Sequence, residues 1–192
     1  FAASRRLVVP AIFEPEYAQR VHAGLAGDLP WRLSFRDNRL PGKAAQKSLT
    51  RDDFAALGRG GARAVHNTVM GQAAEGFQYL YESFDIAGGR AAGEVPGSVL
   101  YDVLDDLRGE GFLGFARRLT GEAAIDDVYA HATRYLPRHF LKEHEDVTEW
   151  DDRRYAYVLG FTPGWPPDAG GLLYFHDEDG VAATFMPGYN TL

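Results

Sequence analysis

YLPRHFLKEHEDV, residues 135–147, decides how this chain is read. Aromatic and apolar residues around Phe140 and Leu141 read as a β-strand running on towards His144 and Asp146, which stand two apart. Strand side chains at i and i+2 share a face and lie roughly 7 Å apart at the backbone, so both can reach one ion. An imidazole and a carboxylate so placed are two thirds of a metal site that leaves coordination positions open.

Outward from this stretch the pattern differs on its two sides. After Gly121, the runs AAIDDVYAHATRYL, HFLKEHEDV, RRYAYVLGFT, GGLLYFHD and VAATFMP are short and β-rich, broken by Pro, Gly and Asp turns. Strands at this spacing predict a sandwich or barrel. Before it, helices dominate. PEYAQRVHAGLAG places Tyr17, Val21 and Leu25 at helical spacing before Gly27, after a short strand in LVVPAIF. Thr50 and Asp53 form a capping-box-like start for a mostly helical stretch over 50–75. Val99, Val103, Leu104 and Leu107 make one helical stripe, and Phe112, Phe115 and Leu119 a second beyond Gly109 and Gly111. WRLSF (31–35) and FQYLYESF (77–84) read as strands. A basic loop carrying Arg36, Arg39, Lys43 and Lys47 follows the first, and a flexible glycine-rich connection, AGGRAAG, follows the second. The class is α+β, and 1–192 reads as a single domain, helix-rich over 1–121 and β-rich over 122–192.

Composition narrows the chemistry. With 192 residues, 45% of them hydrophobic, the chain has enough apolar matter for one full core. It has no cysteine, so thiolate metal sites and disulfides are excluded and any metal must be held by His, Asp or Glu. A net charge of −7 argues against general nucleic-acid binding, which needs clustered Lys and Arg. No run approaches the roughly 20 apolar residues of a membrane span, and the start lacks a signal-peptide pattern. The expectation is a cytoplasmic protein with no membrane partner.

The ordered series in RYLPRHFLKEHEDVTEWDDRRYAYVLGFTPGWPPDAGGLLYFHD (134–177) resembles the Fe(II)- and 2-oxoglutarate-dependent oxygenases, and within them the prolyl-4-hydroxylase-like branch. The elements that carry the resemblance are Tyr135, then His144 with Asp146, then Arg153 or Arg154 leading an apolar strand. Trp165 follows after a turn, and then come Gly170, Gly171, Leu173 and Phe175. The similarity runs over about sixty residues, from Tyr135 to Leu192.

The resemblance implies a double-stranded β-helix, or jelly roll, with supporting helices from the N-terminal half. It also implies iron on His144 and Asp146, with 2-oxoglutarate as co-substrate and ascorbate as a possible accessory. The far carboxylate of 2-oxoglutarate would meet Tyr135, with Thr133 a weaker candidate, because Gly160 stands where some prolyl hydroxylases use a Tyr. The expected reaction is hydroxylation of a protein or peptide side chain, prolyl first, with a small molecule such as an amino acid as the alternative. Halogenating relatives replace the carboxylate with a small residue, so Asp146 favours hydroxylation. The family's third ligand, a His, and the basic residue after it would follow the segment resembling MPGYNTL; the expectation is a chain trimmed at its C-terminus, as the start at Phe1 also indicates. Two other readings stay open: a non-catalytic jelly-roll binding module, and a cupin-like metalloenzyme without 2-oxoglutarate.

The remaining histidines read as structural. His176 is expected at an exposed strand end beside the turn DEDG. His131 shares strand parity with Tyr135, and His22, His66 and His139 have helical or turn settings. Trp150 sits in an acidic loop that could close over substrate, whereas Trp165 is expected to pack its turn. Gly170 and Gly171 read as a tight turn or close strand approach rather than a phosphate loop, since no helix follows them.

Overall fold

The computed structural model describes residues 6–145 and 152–192. These fall into two compact units, interleaved in sequence. Helices and antiparallel strands alternate through the chain, giving a mixed α+β protein.

The first unit comprises Asp28–Pro96 and residues 129–145. Its centre is an antiparallel sheet built on β3 (Tyr79–Asp85). β1 (Arg32–Arg36) pairs one edge of β3 and carries β2 (Gln46–Leu49) outside it. On the other edge, β4 (His131–Arg134) pairs the second half of β3, and the two-residue β5 (Phe140–Leu141) pairs its beginning. The strands expected at 31–35 and 77–84 are therefore the middle of the sheet.

Alternation sorts this sheet into two faces. Leu33, Phe35, Leu49, Leu80 and Phe140 point to one side, where Val65 and the fully buried Val69 of α3 (Gly58–Glu75) cover them. Burial of a side chain such as Val69 stabilises the fold by roughly 1.5–3 kcal/mol. α2 (Arg51–Ala56) precedes α3 and starts with the expected capping box: Asp53 N–H donates to Thr50 Oγ1 at 3.1 Å, and Thr50 N–H donates back to Asp53 Oδ2 at 3.1 Å.

Gln78, fully buried, ties β3 to β1 through its amide. Its Oε1 accepts from Arg36 N–H at 3.0 Å and from Tyr79 N–H at 2.8 Å, while its Nε2 donates to the Arg36 carbonyl at 2.7 Å. A side chain thus supplies the bonds a further ladder pair would have made, and a buried amide is left with partners rather than stranded.

The glycine-rich stretch after β3 is not the flexible connection expected. It forms α4 (Ile86–Ala91), because Asp85 caps it: its Oδ1 accepts from Gly88 N–H at 3.2 Å.

The second unit holds residues 6–27, Gly97–Val128 and 152–192. α1 (Pro15–Ala26), α5 (Val99–Arg108) and α6 (Glu110–Thr120) occur where the periodicity places them, with Gly109 as the break between the last two. Ala18, Val21, Leu100, Val103, Leu104 and Leu107 are buried. Close approach of α1 to α5 depends on Gly24, where a Cβ would lie 2.8 Å from Val99 Cγ1.

Three short pairings complete this unit. β6 (Gly160–Phe161) pairs β9 (Tyr189–Thr191), and β7 (Leu173–Asp177) forms a hairpin with β8 (Gly180–Phe185). Residues 7–13, expected as a strand, make an isolated bridge between Pro10 and Thr191, flanked by mutual backbone bonds of Val9 and Leu192 and one from Ile12 N–H to the Asn190 carbonyl at 3.2 Å. Asn190, at φ +55°, turns its amide onto Phe13, accepting from N–H at 2.9 Å and donating to the carbonyl at 2.7 Å.

The strong strand expected from Arg153 is confined to Gly160–Phe161. Apolar alternation in RRYAYVL needs a ladder partner, and among the described residues no β-ladder includes 153–159. Val158 is accordingly 66% exposed.

Candidate functional site

His144 lies beyond the end of β5 rather than within a strand, after a bend at Glu143. Of the run expected to continue as strand through FLKEHEDV, the described residues 140–145 pair as strand only at Phe140–Leu141, with Lys142 N–H adding one bond to the Gln78 carbonyl at 3.1 Å. His144 is exposed, and its ring rests on Phe77 with centroids 5.5 Å apart. Its Nδ1 lies 3.0 Å from the Lys142 carbonyl oxygen. A carbonyl can only accept, so Nδ1 donates in this contact, the arrangement that leaves Nε2 as the ligating nitrogen in histidine metal sites. Asp146, its expected partner, lies outside the described residues, as does Trp150. Among the described residues no three His, Asp or Glu side chains gather to hold an ion, a group from which Asp146 is necessarily missing.

A row of aromatic rings leads from His144 across the open face of the five-stranded sheet. Phe77, Tyr79 and Tyr81 occupy alternate positions and so share one side of β3. Their centroids are 5.9 Å apart from Phe77 to Tyr79 and 5.2 Å from Tyr79 to Tyr81. Tyr135, just past β4, continues the row 5.5 Å from Tyr81. The β3–β4 register sets Thr133 opposite Ser83, placing it on the same face. The two residues expected to meet a co-substrate, Tyr135 and Thr133, thus stand on the sheet face that also leads to His144.

The rest of that face is polar. Ser34 and Ser83 join hydroxyls at 2.7 Å across β1 and β3. Arg36 continues the Ser34 side of β1, opposite Tyr79, since Phe35 pairs Leu80. Burial raises the Tyr79 hydroxyl to about 12; the neighbouring Tyr81 adds to the shift and the Arg36 charge opposes it. Tyr135 is likewise pushed up to about 12, by burial and then by Tyr81, although 45% of its surface is open. Tyr81 is raised by burial alone. All three phenols are neutral hydrogen-bond donors at ordinary pH, suited to an anionic ligand.

Sequence reading missed Arg36, Tyr79 and Tyr81. FQYLYESF reads simply as a strand, yet its parity holds the signal. Phe77, Tyr79 and Tyr81 alternate with Gln78, Leu80 and Glu82, so hydroxyl-bearing rings fall on one side only.

The other residues behave largely as read. Trp165 packs its own turn, donating from Nε1 to the Gly170 carbonyl at 2.9 Å, and Gly171, at φ +65°, sits beneath its ring. His176 is exposed on β7 near the hairpin turn, and His22, on α1, meets the Phe161 carbonyl at 3.0 Å through Nδ1. Gly160 has a steric role: a Cβ there would lie 2.5 Å from the Gly188 carbonyl oxygen and 2.7 Å from Thr191 Oγ1.

The fold is thus an α+β arrangement whose largest antiparallel sheet presents tyrosines, hydroxyls and an arginine on one open face. Within the part of the chain that holds His144 and Tyr135, a model described as the 2OG-Fe(II) oxygenase superfamily matches residues 130–192, the last third of the sequence. The match supports a dioxygenase-type oxidoreductase using Fe(II) and 2-oxoglutarate. No curated protein and no solved structure matched the chain. No helix among the described residues is long and apolar enough to cross a membrane.

Proposed function

We propose that this chain is an Fe(II)- and 2-oxoglutarate-dependent dioxygenase of the prolyl-4-hydroxylase-like branch, hydroxylating a protein or peptide side chain, with proline the first candidate. The observation that carries the reading is the superfamily match over residues 130–192, because it includes His144, Asp146 and Tyr135 in one ordered segment. The fold proposed for the catalytic part is a jelly roll.

The donors fit the metal. His144 supplies an imidazole whose Nδ1 is held by the Lys142 carbonyl, and Asp146 in the sequence supplies a carboxylate; imidazole and carboxylate are the ligand types of non-haem Fe(II) oxygenases. When bound, iron would supply the oxidative chemistry, in which dioxygen is the oxidant: one of its atoms would enter the succinate formed with carbon dioxide from 2-oxoglutarate, and the other the substrate C–H that becomes C–OH. The chain's own residues bind and orient. The Lys142 carbonyl fixes the tautomer and direction of His144, and Phe77 supports its ring. Tyr135 donates its phenolic proton to a carboxylate oxygen, with Thr133 on the same face as a second hydroxyl. Ascorbate would serve to keep the iron ferrous.

Incubation of the purified protein with Fe(II), ascorbate, 2-oxoglutarate and proline-containing peptides, with succinate measured, tests the reading. Succinate formation lost in His144→Ala supports a dioxygenase, and a peptide mass increase of one oxygen supports the prolyl substrate. Absence of succinate under every condition would sink the proposal.

A further inference from the structure

We propose that Arg36, with the hydroxyls of Tyr79 and Tyr81, forms a carboxylate-binding subsite on the open face of the five-stranded sheet.

The argument begins with an arginine whose charge is not matched. Two other half-buried arginines of this sheet each hold a carboxylate: Arg32 meets Glu94 at 3.1 Å and Arg134 meets Glu82 at 2.6 Å. Arg36 is also half-buried, yet its guanidinium makes one contact among the described residues, from Nε to the neutral Asn38 Oδ1 at 2.9 Å. No carboxylate among the described residues pairs with it. A cation partly withdrawn from water gains most from an anion that can take two of its N–H groups side by side.

The neighbours are donors as well. Extending the β1–β3 register one step past the Phe35–Leu80 pair brings Tyr79 opposite Arg36, and Tyr81, two residues on, pairs with Ser34. Burial disfavours the ionised form of both phenols, so both keep their protons. Neither hydroxyl has a hydrogen-bond partner among the described residues. Arg36 and Tyr79, which feels its charge, thus set donors side by side, with Tyr81 stacked next in the row and no acceptor of matching charge, the complement of a carboxylate.

The site is held rigidly. Gln78 bonds both the N–H and the carbonyl of Arg36, and the stacked rings restrict Tyr79 and Tyr81. Its position in the aromatic row puts Tyr79 next to Phe77, on which His144 rests. Two sources of the carboxylate fit: the far end of 2-oxoglutarate, a choice that rests on the oxygenase reading, and an acidic side chain of a substrate, which does not.

The test uses the full chain in the presence of a metal chelator, titrated calorimetrically with 2-oxoglutarate and, separately, with N-acetylglutamate amide. At least one of them binds, and Arg36→Gln weakens it about tenfold, as loss of a charge-assisted bond requires. Arg36→Lys recovers part of the affinity, and Tyr79→Phe weakens it about threefold with an unchanged urea midpoint. An effect on 2-oxoglutarate identifies the co-substrate as the source; an effect on N-acetylglutamate amide identifies a substrate acid. Failure of both compounds to bind, or binding unaltered in Arg36→Gln, overturns the subsite. Should Arg36→Gln not fold, Tyr79→Phe decides by the same criterion. A chain that binds carboxylate but never forms succinate would refute the oxygenase reading alone.

Discussion

Tyr135 rests on Tyr81 with ring centroids 5.5 Å apart, so the residue that follows β4 is oriented by β3. The stacking and the hydroxyl are separable. Tyr135→Phe keeps the ring, and the expected result is an apparent KM for 2-oxoglutarate raised about tenfold, the scale of one hydrogen bond to a charged group. Tyr135→Ala also removes the ring pair and should lower stability by about 1 kcal/mol in urea denaturation. A KM unchanged in Tyr135→Phe would exclude the hydroxyl from co-substrate binding.

His144 is exposed, which makes its substitution a clean probe of ligation. His144→Ala should shift the urea-derived stability by no more than about 0.5 kcal/mol, the range of surface changes away from packed features. Binding of Mn(II), a spectroscopic substitute for Fe(II), should weaken at least tenfold in electron paramagnetic resonance titrations, by the loss of about 1.4 kcal/mol or more. His176→Ala, on the exposed hairpin, should bind Mn(II) unchanged. Equal loss in both variants would point to nonspecific surface binding.

Gly160 faces the Gly188 carbonyl so closely that any side chain must displace backbone. Gly160→Ala should destabilise the protein by about 1–3 kcal/mol, the usual cost of overpacking. Gly71→Ala provides the contrast, because a Cβ there meets nothing within 4 Å and the site is inside α3. It should raise stability by about 0.5–1 kcal/mol through the better helix propensity of alanine. Urea midpoints moving in the same direction would contradict the close approach of β6 and β9.

What could be read from the sequence was what depends on local chemistry. Helix periodicity in 99–120, the Thr50–Asp53 cap, the Tyr17–Val21–Leu25 spacing of α1 and the Trp165 turn are each set by neighbours along the chain, and each is found. Pairing is a different matter. The apolar alternation of RRYAYVL was as strand-like as that of β3, but a strand exists only with a partner, and alternation says nothing about where the partner is. The helix in IAGGRA was lost to glycine content, although Asp85 at its start was a legible cap.

The candidate site divides in the same way. His144 and Tyr135 stand out as candidates from their order in the sequence, whereas Arg36 and Tyr79 are more than forty residues apart in the chain and are brought side by side only by β-sheet register. Asp146 remains a reading of the sequence, since it lies outside the described residues.

The tyrosine row makes a prediction about alkaline pH. Tyr79 and Tyr135 have hydroxyls raised to about 12, against a reference of about 10 in the unfolded chain. Below the unfolded value both states hold the proton and the stabilisation is fully present. Between about 10 and about 12 the unfolded chain has lost protons that the folded chain retains, so stability falls as pH rises through this window. Phenolate absorbance at 295 nm should therefore titrate in two groups, ordinary tyrosines first and the buried row later, the late group shrinking in Tyr79→Phe and in Tyr135→Phe. The urea midpoint should decline from about pH 10 upward, and less steeply in either variant, because each removes one proton from the folded-state excess. A single titration phase near 10, with the midpoint equally sensitive to pH in all three proteins, would mean that the row is open to water.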